Sequence, residues 1–164
     1  MDHSPAHLCV RDTQGITAPL ERLPTFEARR TLGICLAPDG NNKAKHAYLH
    51  AQSQAWGDQV QSGHLPRHLA WQALTSTLIP KLCYPLPATT FSQCACNHIL
   101  APALQAGLPA SGIVRTFPRA LIHAPLSAQG LDLPDLYSEQ GISYVGQLIA
   151  HGHHHHSNIM GKLI

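Results

Sequence analysis

Apolar positions come in short, punctuated groups along this chain, and their spacing changes once, near residue 41. Before that point the runs are brief. Residues 8–11 (LCVR) and 16–20 (ITAPL) flank Asp12-Thr13-Gln14-Gly15. This pattern predicts a short hairpin in which Gly15 supplies a positive φ. Residues 31–36 (TLGICL) form a compact apolar run and predict one buried strand. Ala37-Pro38-Asp39-Gly40 reads as a turn, with proline second and glycine fourth.

Beyond it the period becomes helical. Ala44, Tyr48, Ala51 and Ala55 recur on one face, with Lys43, His46, His50 and Gln54 on another. Gly63 ends this segment. Pro66 suits the first turn of a second helix carrying Trp71, Leu74, Leu78 and Leu82. Pro80 should kink or interrupt that helix, because proline lacks the N–H and clashes with the preceding turn. Pro85 and Pro87 end it. Thr90-Phe91-Ser92-Gln93 fits a capping box, followed by a stripe of Cys96, Ile99, Leu100, Ala103 and Leu104 that Gly107 and Pro109 close. The stretch ALIHAP is apolar but undecided in type. Pro134 opens a fourth helix with Tyr137, Tyr144 and Leu148 along one side and Gly152 as its stop. No internal repeat is visible. The pattern predicts a mainly helical α+β fold: a small β hairpin and strand unit over residues 1–40, a helical domain over 41–152, and a histidine-rich tail over 153–164.

Composition narrows the partners. The 164 residues suit one domain, or one domain with an appendage, and 44% of them are hydrophobic, enough for a core. Only 12% are charged, about half the usual share, which predicts modest solubility and a surface that expects a partner. The formal charge of +2 is far weaker than that of a dedicated nucleic-acid-binding domain. Thirteen histidines add positive charge below about pH 6.5. Five cysteines at irregular spacing, after a polar opening broken by Pro5, predict reduced thiols in an intracellular protein, nuclear or cytoplasmic. No apolar run reaches the length of a membrane span.

Candidate chemistry is sparse. Phosphoryl transfer by two cations needs carboxylates that hold them about 3.5–4 Å apart. There is no Asp-Asp pair, and only Asp132 and Asp135 lie close in sequence. They flank Pro134, where aspartate suits a helix cap and dipole better than a cation. Cys94, Cys96 and His98 resemble a ligand cluster, but on a helix the two cysteines point about 200° apart. Cys96 fits the apolar stripe instead. The histidine run after residue 150 binds transition metals adventitiously and reads as a solvated tail. No nucleophile elbow, catalytic cysteine signature, P-loop or dinucleotide fingerprint is present. Lys43, Lys45, Arg67, Lys81, Arg115 and Arg119 could track a nucleic-acid backbone, with Trp56, Trp71 or Phe117 as stacking partners. Against that, tryptophan at helical spacing is usually a core anchor, and surface cations are usually only solvated.

Three segments taken together carry a resemblance. Leu32-Gly33 is followed by Ala37-Pro38-Asp39-Gly40-Asn41-Asn42. Then come Tyr84-Pro85-Leu86-Pro87-Ala88-Thr89-Thr90 and Gly130-Leu131…Leu136-Tyr137…Gln140-Gly141. Their order and spacing resemble reverse transcriptases (RNA-directed DNA polymerases) of non-LTR retrotransposon type, over the region after the catalytic palm motif. The resemblance implies that residues 29–36 belong to a palm-edge hairpin nearest the primer and that the helices form a thumb-like bundle. It implies that Lys43, Lys45 and the second helix face the duplex backbone of an RNA–DNA or DNA partner. The family's fingers and aspartate-pair motif precede this point and are absent here. The expectation is therefore a fragment without catalysis of its own, partnered by the missing palm and fingers and outside any membrane. The chain itself would need no cofactor, whereas the full-length enzymes use Mg2+. The alternative is an inert interaction module or transposon-derived remnant with no nucleic-acid affinity.

Overall fold

The computed structural model describes residues 9–11, 17–19 and 24–152. The protein is mainly helical, with two antiparallel ribbons preceding the helices. In the first ribbon β1 (Cys9–Arg11) pairs with β2 (Thr17–Pro19), Val10 opposite Ala18. This is the expected hairpin, although Gly15 lies outside the described residues.

The single buried strand expected over residues 31–36 is instead a second ribbon. β3 (Arg29–Thr31) turns at Leu32-Gly33 into β4 (Ile34–Leu36), with Arg30 opposite Cys35. Both turn residues have positive φ, 50° and 85°, as a tight hairpin turn of the primed type requires. The apolar run misleads because Leu32 is a turn residue, 87% exposed. The turn at residues 37–40 closes as expected, the Gly40 N–H donating to the Ala37 carbonyl at 3.0 Å.

Two long helices carry the core: α1 (Lys43–Ser62) and α4 (Gln93–Ala110). On α1 the buried positions are Lys45, Leu49, Ser53, Gly57 and Val60, not the expected alanine face, whose Ala44, Ala51 and Ala55 are exposed. Close approach of α4 explains the inversion. A Cβ on Gly57 would lie 3.3 Å from both the Ala106 Cβ and the Pro102 carbonyl oxygen. Ser53 is fully buried, and its Oγ accepts the Ala103 N–H at 3.2 Å. Pro102 interrupts the α4 ladder one residue earlier. Ser53 meets Ala103, Gly57 meets Ala106, and Trp56 packs on Gly107. Because both numbers rise together, α1 and α4 run in the same direction.

Between them lie α2 (Arg67–Ala73), a π turn over Leu74–Leu78, and α3 (Ile79–Cys83). The Ile79 N–H reaches back to the Leu74 carbonyl, widening the helix just before Pro80, so proline interrupts as predicted. Leu74, Leu78 and Leu82 are buried. The stripe of Cys96, Ile99, Leu100, Ala103 and Leu104 on α4 is also buried as expected. The helix continues past Gly107 and Pro109, because glycine there makes room for the Trp56 ring, and Gly112 in the left-handed region follows its end. Its cap is Ser92, which accepts the Ala95 N–H at 3.3 Å, rather than Thr90.

The undecided ALIHAP stretch contains α5 (Arg119–His123). Residues 131–133 return along it, with backbone bonds from Leu131, Asp132 and Leu133 to Leu121, Ala124 and Ile122. Gly130 begins that return, where any Cβ would fall 2.0 Å from the Ala124 carbonyl oxygen. The last helix is α6 (Leu136–Gly152). Asp135 caps it as expected, its carboxylate accepting both the N–H and the hydroxyl of Ser138. Leu136 and Gln140 face inward, whereas Tyr137 and Leu148 of the expected stripe are exposed. Among the described residues no helix is long and apolar enough to cross a membrane.

Candidate nucleic-acid interface

The second ribbon is held against the helices by aromatic side chains. The Tyr84 hydroxyl donates to the Leu32 carbonyl at 3.2 Å, and the Arg30 guanidinium sits 5.3 Å from the centre of the Tyr48 ring. This contact between a strand-borne cation and a half-buried ring favours a fixed ribbon position. Between ribbon, α1 and α3 lies a cavity of about 170 Å³, lined among others by Arg30, Cys35, Lys45, Tyr48, Lys81 and Tyr84. Its cations suit an anion, phosphate included.

Of those cations, Lys45 is committed to structure. It is 3% exposed and its Nζ donates to the Ala88 carbonyl at 2.6 Å. Burial lowers its pKa, and the nearby Cys35 opposes that shift. Arg30 and Lys81 are exposed. Of the six cations expected from the sequence, then, Lys45 and Lys81 share this pocket, and Arg30 joins them. Sequence reasoning missed Arg30, although its place two residues before the Leu32-Gly33 turn was a usable signal.

The other four lie elsewhere. Lys43 flanks a groove with Asn42, His46, Thr90 and Phe91 at the start of α1. Arg67 lies across Gly112, its Cδ 3.0 Å from where a Cβ would be, and Arg115 lines a cleft with Gln61, His64 and Gln105. Arg67 opens α2, and Arg115 follows the end of α4. Arg119 lines another cleft with His98, His123 and Asp135. Trp56, Trp71 and Phe117 are partly buried against the core and are not free stacking platforms.

Asp135 is occupied in capping, and Asp132 is exposed at φ 53° with its N–H paired to Ala124. Among the described residues no three His, Cys, Asp or Glu side chains are placed to hold a metal ion. Cys94 is exposed and Cys96 buried, as their angular separation predicts. Burial first, and Asp135 second, push the Cys96 thiol up to about 11, so it is not a thiolate at neutral pH.

The three segments that carry the family resemblance form one interlocked unit. Tyr84 bonds Leu32, as above. The Asn42 amide donates to the Thr90 hydroxyl at 2.7 Å. Gln140 receives the Thr89 hydroxyl at 2.8 Å and the Phe91 N–H at 3.0 Å, and returns its own N–H to the Phe91 carbonyl at 3.1 Å. Comparison of the chain with known protein families, with curated proteins and with solved structures finds no match.

Proposed function

We propose that this chain is the part of a retrotransposon-type reverse transcriptase that follows the catalytic palm, and that it grips primer–template duplex without chemistry of its own. The observation that carries this reading is the β3–β4 tip. Leu32 is exposed and held at positive φ, a conformation costly for a leucine. Nothing within the described chain covers it. Strained, exposed apolar tips beside cations are suited to contact with a partner, here a primer terminus and the missing palm. Arg30 and Lys81 line the cavity beside Gly33 of the tip. Such a function belongs wherever RNA–DNA hybrids form, in the nucleus or cytoplasm.

The test is binding of the purified chain to a fluorescent RNA–DNA hybrid across a salt series. Log affinity should fall linearly with log salt, with a slope of about 0.9 for each phosphate neutralised. Flat salt dependence, or no binding at low salt, refutes the grip. A magnesium-dependent extension assay should show no activity.

A second reading, an inert interaction module, draws on α6. Ile142, Val145, Leu148 and Ile149 form an apolar stripe on its outer face, all more than half exposed. Self-association that Ile142→Glu and Ile149→Glu abolish, without hybrid binding, would favour it.

A further inference from the structure

The cavity between the second ribbon, α1 and α3 has a size and a charge that discriminate between kinds of phosphate. Its volume is about 170 Å³, close to the roughly 150 Å³ that admits one benzene molecule. Pockets that enclose a whole drug-sized ligand start at about 300 Å³. A phosphate group therefore fits inside, and a nucleoside does not. Arg30, Lys45 and Lys81 all line the space, and no carboxylate does. The chain as a whole has nine acidic residues against eleven Lys and Arg, so three basic residues without a counter-charge mark a local imbalance.

We infer that this cavity binds a phosphate dianion, the monoester at a strand end or free inorganic phosphate, and not a diester within the backbone. A diester carries a nucleoside on each side, and the cavity has room for neither. A monoester enters with its unsubstituted oxygens first and leaves its one nucleoside outside. It also carries a charge of about −1.5 to −2 at pH 7, which the two exposed cations, Arg30 and Lys81, match.

The donors are placed for an anion. The Arg30 guanidinium lies 5.3 Å from the Tyr48 ring centre. That contact occupies one face of the group and leaves its edge N–H donors without an acceptor among the described residues. A guanidinium edge is the fork that pairs with two phosphate oxygens. Lys81 on α3 also lacks a polar partner there. Lys45 forms a buried part of the wall, its Nζ held by the Ala88 carbonyl. Tyr84 closes the side toward the tip, its Cε1 3.7 Å from where a Gly33 Cβ would lie. Its hydroxyl is already engaged by the Leu32 carbonyl. The groups left for a ligand are therefore cations, not the phenol, and they select an anion over a neutral polar molecule.

The strand-end source rests on the proposed duplex grip, whereas free phosphate does not, and the test separates them. The full chain is titrated at about pH 8, where a monoester is dianionic and the histidine tail uncharged. Two RNA–DNA hybrids are compared at one ionic strength, identical except for 5′-phosphates in place of 5′-hydroxyls. The phosphorylated hybrid should bind about tenfold tighter, the effect of one charge-assisted contact. Inorganic phosphate should erase that preference, and acetate at the same ionic strength should not. The phosphorus NMR signal of inorganic phosphate should broaden with the chain. Lys81→Ala should remove both the broadening and the preference, and Lys81→Arg should keep them. Broadening without a preference, Lys81-dependent, assigns free phosphate as the ligand. If neither hybrid binds as well, the grip fails and the phosphate site stands. Absence of broadening overturns the site even where a salt-dependent grip on both hybrids remains. Broadening or a preference that survives Lys81→Ala overturns it too, because the phosphate then lies elsewhere.

Discussion

Gln140 on α6 pairs with the backbone of Phe91 through both halves of its amide, accepting the Phe91 N–H and donating to the Phe91 carbonyl. The residue is buried, and its Oε1 also takes the Thr89 hydroxyl. A side chain thus imitates a strand partner for a loop that has none. Gln140→Ala leaves the Phe91 N–H and carbonyl without this partner, whereas the Thr89 hydroxyl keeps the Leu86 carbonyl, and each unpaired buried group costs about 1–3 kcal/mol. We expect a loss of about 2–4 kcal/mol in urea unfolding, with binding of hybrid unchanged in any fraction still folded. A loss below about 0.5 kcal/mol would show that water satisfies Phe91 instead.

Gly57 marks the closest approach of α1 to α4. Gly57→Val places branched carbons against Ala106 and the Pro102 carbonyl and should destabilise by about 1–3 kcal/mol through overpacking. At Gly57→Ala the helix-propensity gain of about 1 kcal/mol opposes the 3.3 Å contact. The net change should therefore be small. Thermal melts of the pair measure this, and equal losses in both would mean that backbone freedom, not space, is what the glycine supplies.

Lys45 and Lys81 line one cavity but should behave differently. Lys45→Ala removes a buried donor to Ala88 and should cost about 1–3 kcal/mol of stability while leaving the salt slope of hybrid binding unchanged. Lys81→Ala should leave stability within about 0.5 kcal/mol and reduce that slope by about 1. The reverse pattern would place Lys45 on the nucleic acid.

Acid should loosen the α1–α4 junction. His46 has a folded pKa below its ordinary 6.5, chiefly through burial, then through His98 and His50, with the Ala95 backbone bond opposing. Lys43 precedes it on α1, and no carboxylate lines the groove beside it among the described residues. A depressed histidine pKa means that the unfolded chain binds more protons. The stability it contributes is present above about pH 6.5 and is lost as pH falls through the lowered folded value. Urea midpoints from pH 7.5 to 5 should decline, and His46→Gln should flatten the decline. An unchanged pH profile in that variant would sink the attribution.

Leu32 should be improvable. Leu32→Asn suits the left-handed turn and should raise stability by about 0.5–1 kcal/mol. If the tip meets the primer or palm, the same change should weaken hybrid binding, a trade visible in paired melts and titrations.

The α4 stripe was legible because every inward position is apolar at helical spacing, so hydrophobicity and burial coincide. On α1 they part company. Close packing there selects serine and glycine, and a lysine is buried for its bond to Ala88, so the exposed alanines mimic a core face. Leu32 made a hairpin look like a strand. Thr90 looked like a cap because Asn42, its actual partner, lies 48 positions away. The grouping of Lys45 on α1 with Lys81 on α3, the contribution of Arg30 and the Gln140 pairing needed the tertiary fold. His46 and His50 are a readable i, i+4 pair, whereas no local pattern reveals their neighbour His98.

The shared direction of α1 and α4 bears on how this chain comes to fold. Side-by-side helices of the same sense cannot be joined by a short loop, and Ser53 finds Ala103 at a sequence separation of 50. Closing so long a loop carries an entropic penalty before any contact offsets it. As the chain leaves the ribosome, α1 is complete well before its partner exists, with Leu49 and Val60 still in water. Synthesis of the residues between α1 and α4 is therefore the interval in which chaperones and proteases have their opportunity, and it closes only when α4 arrives.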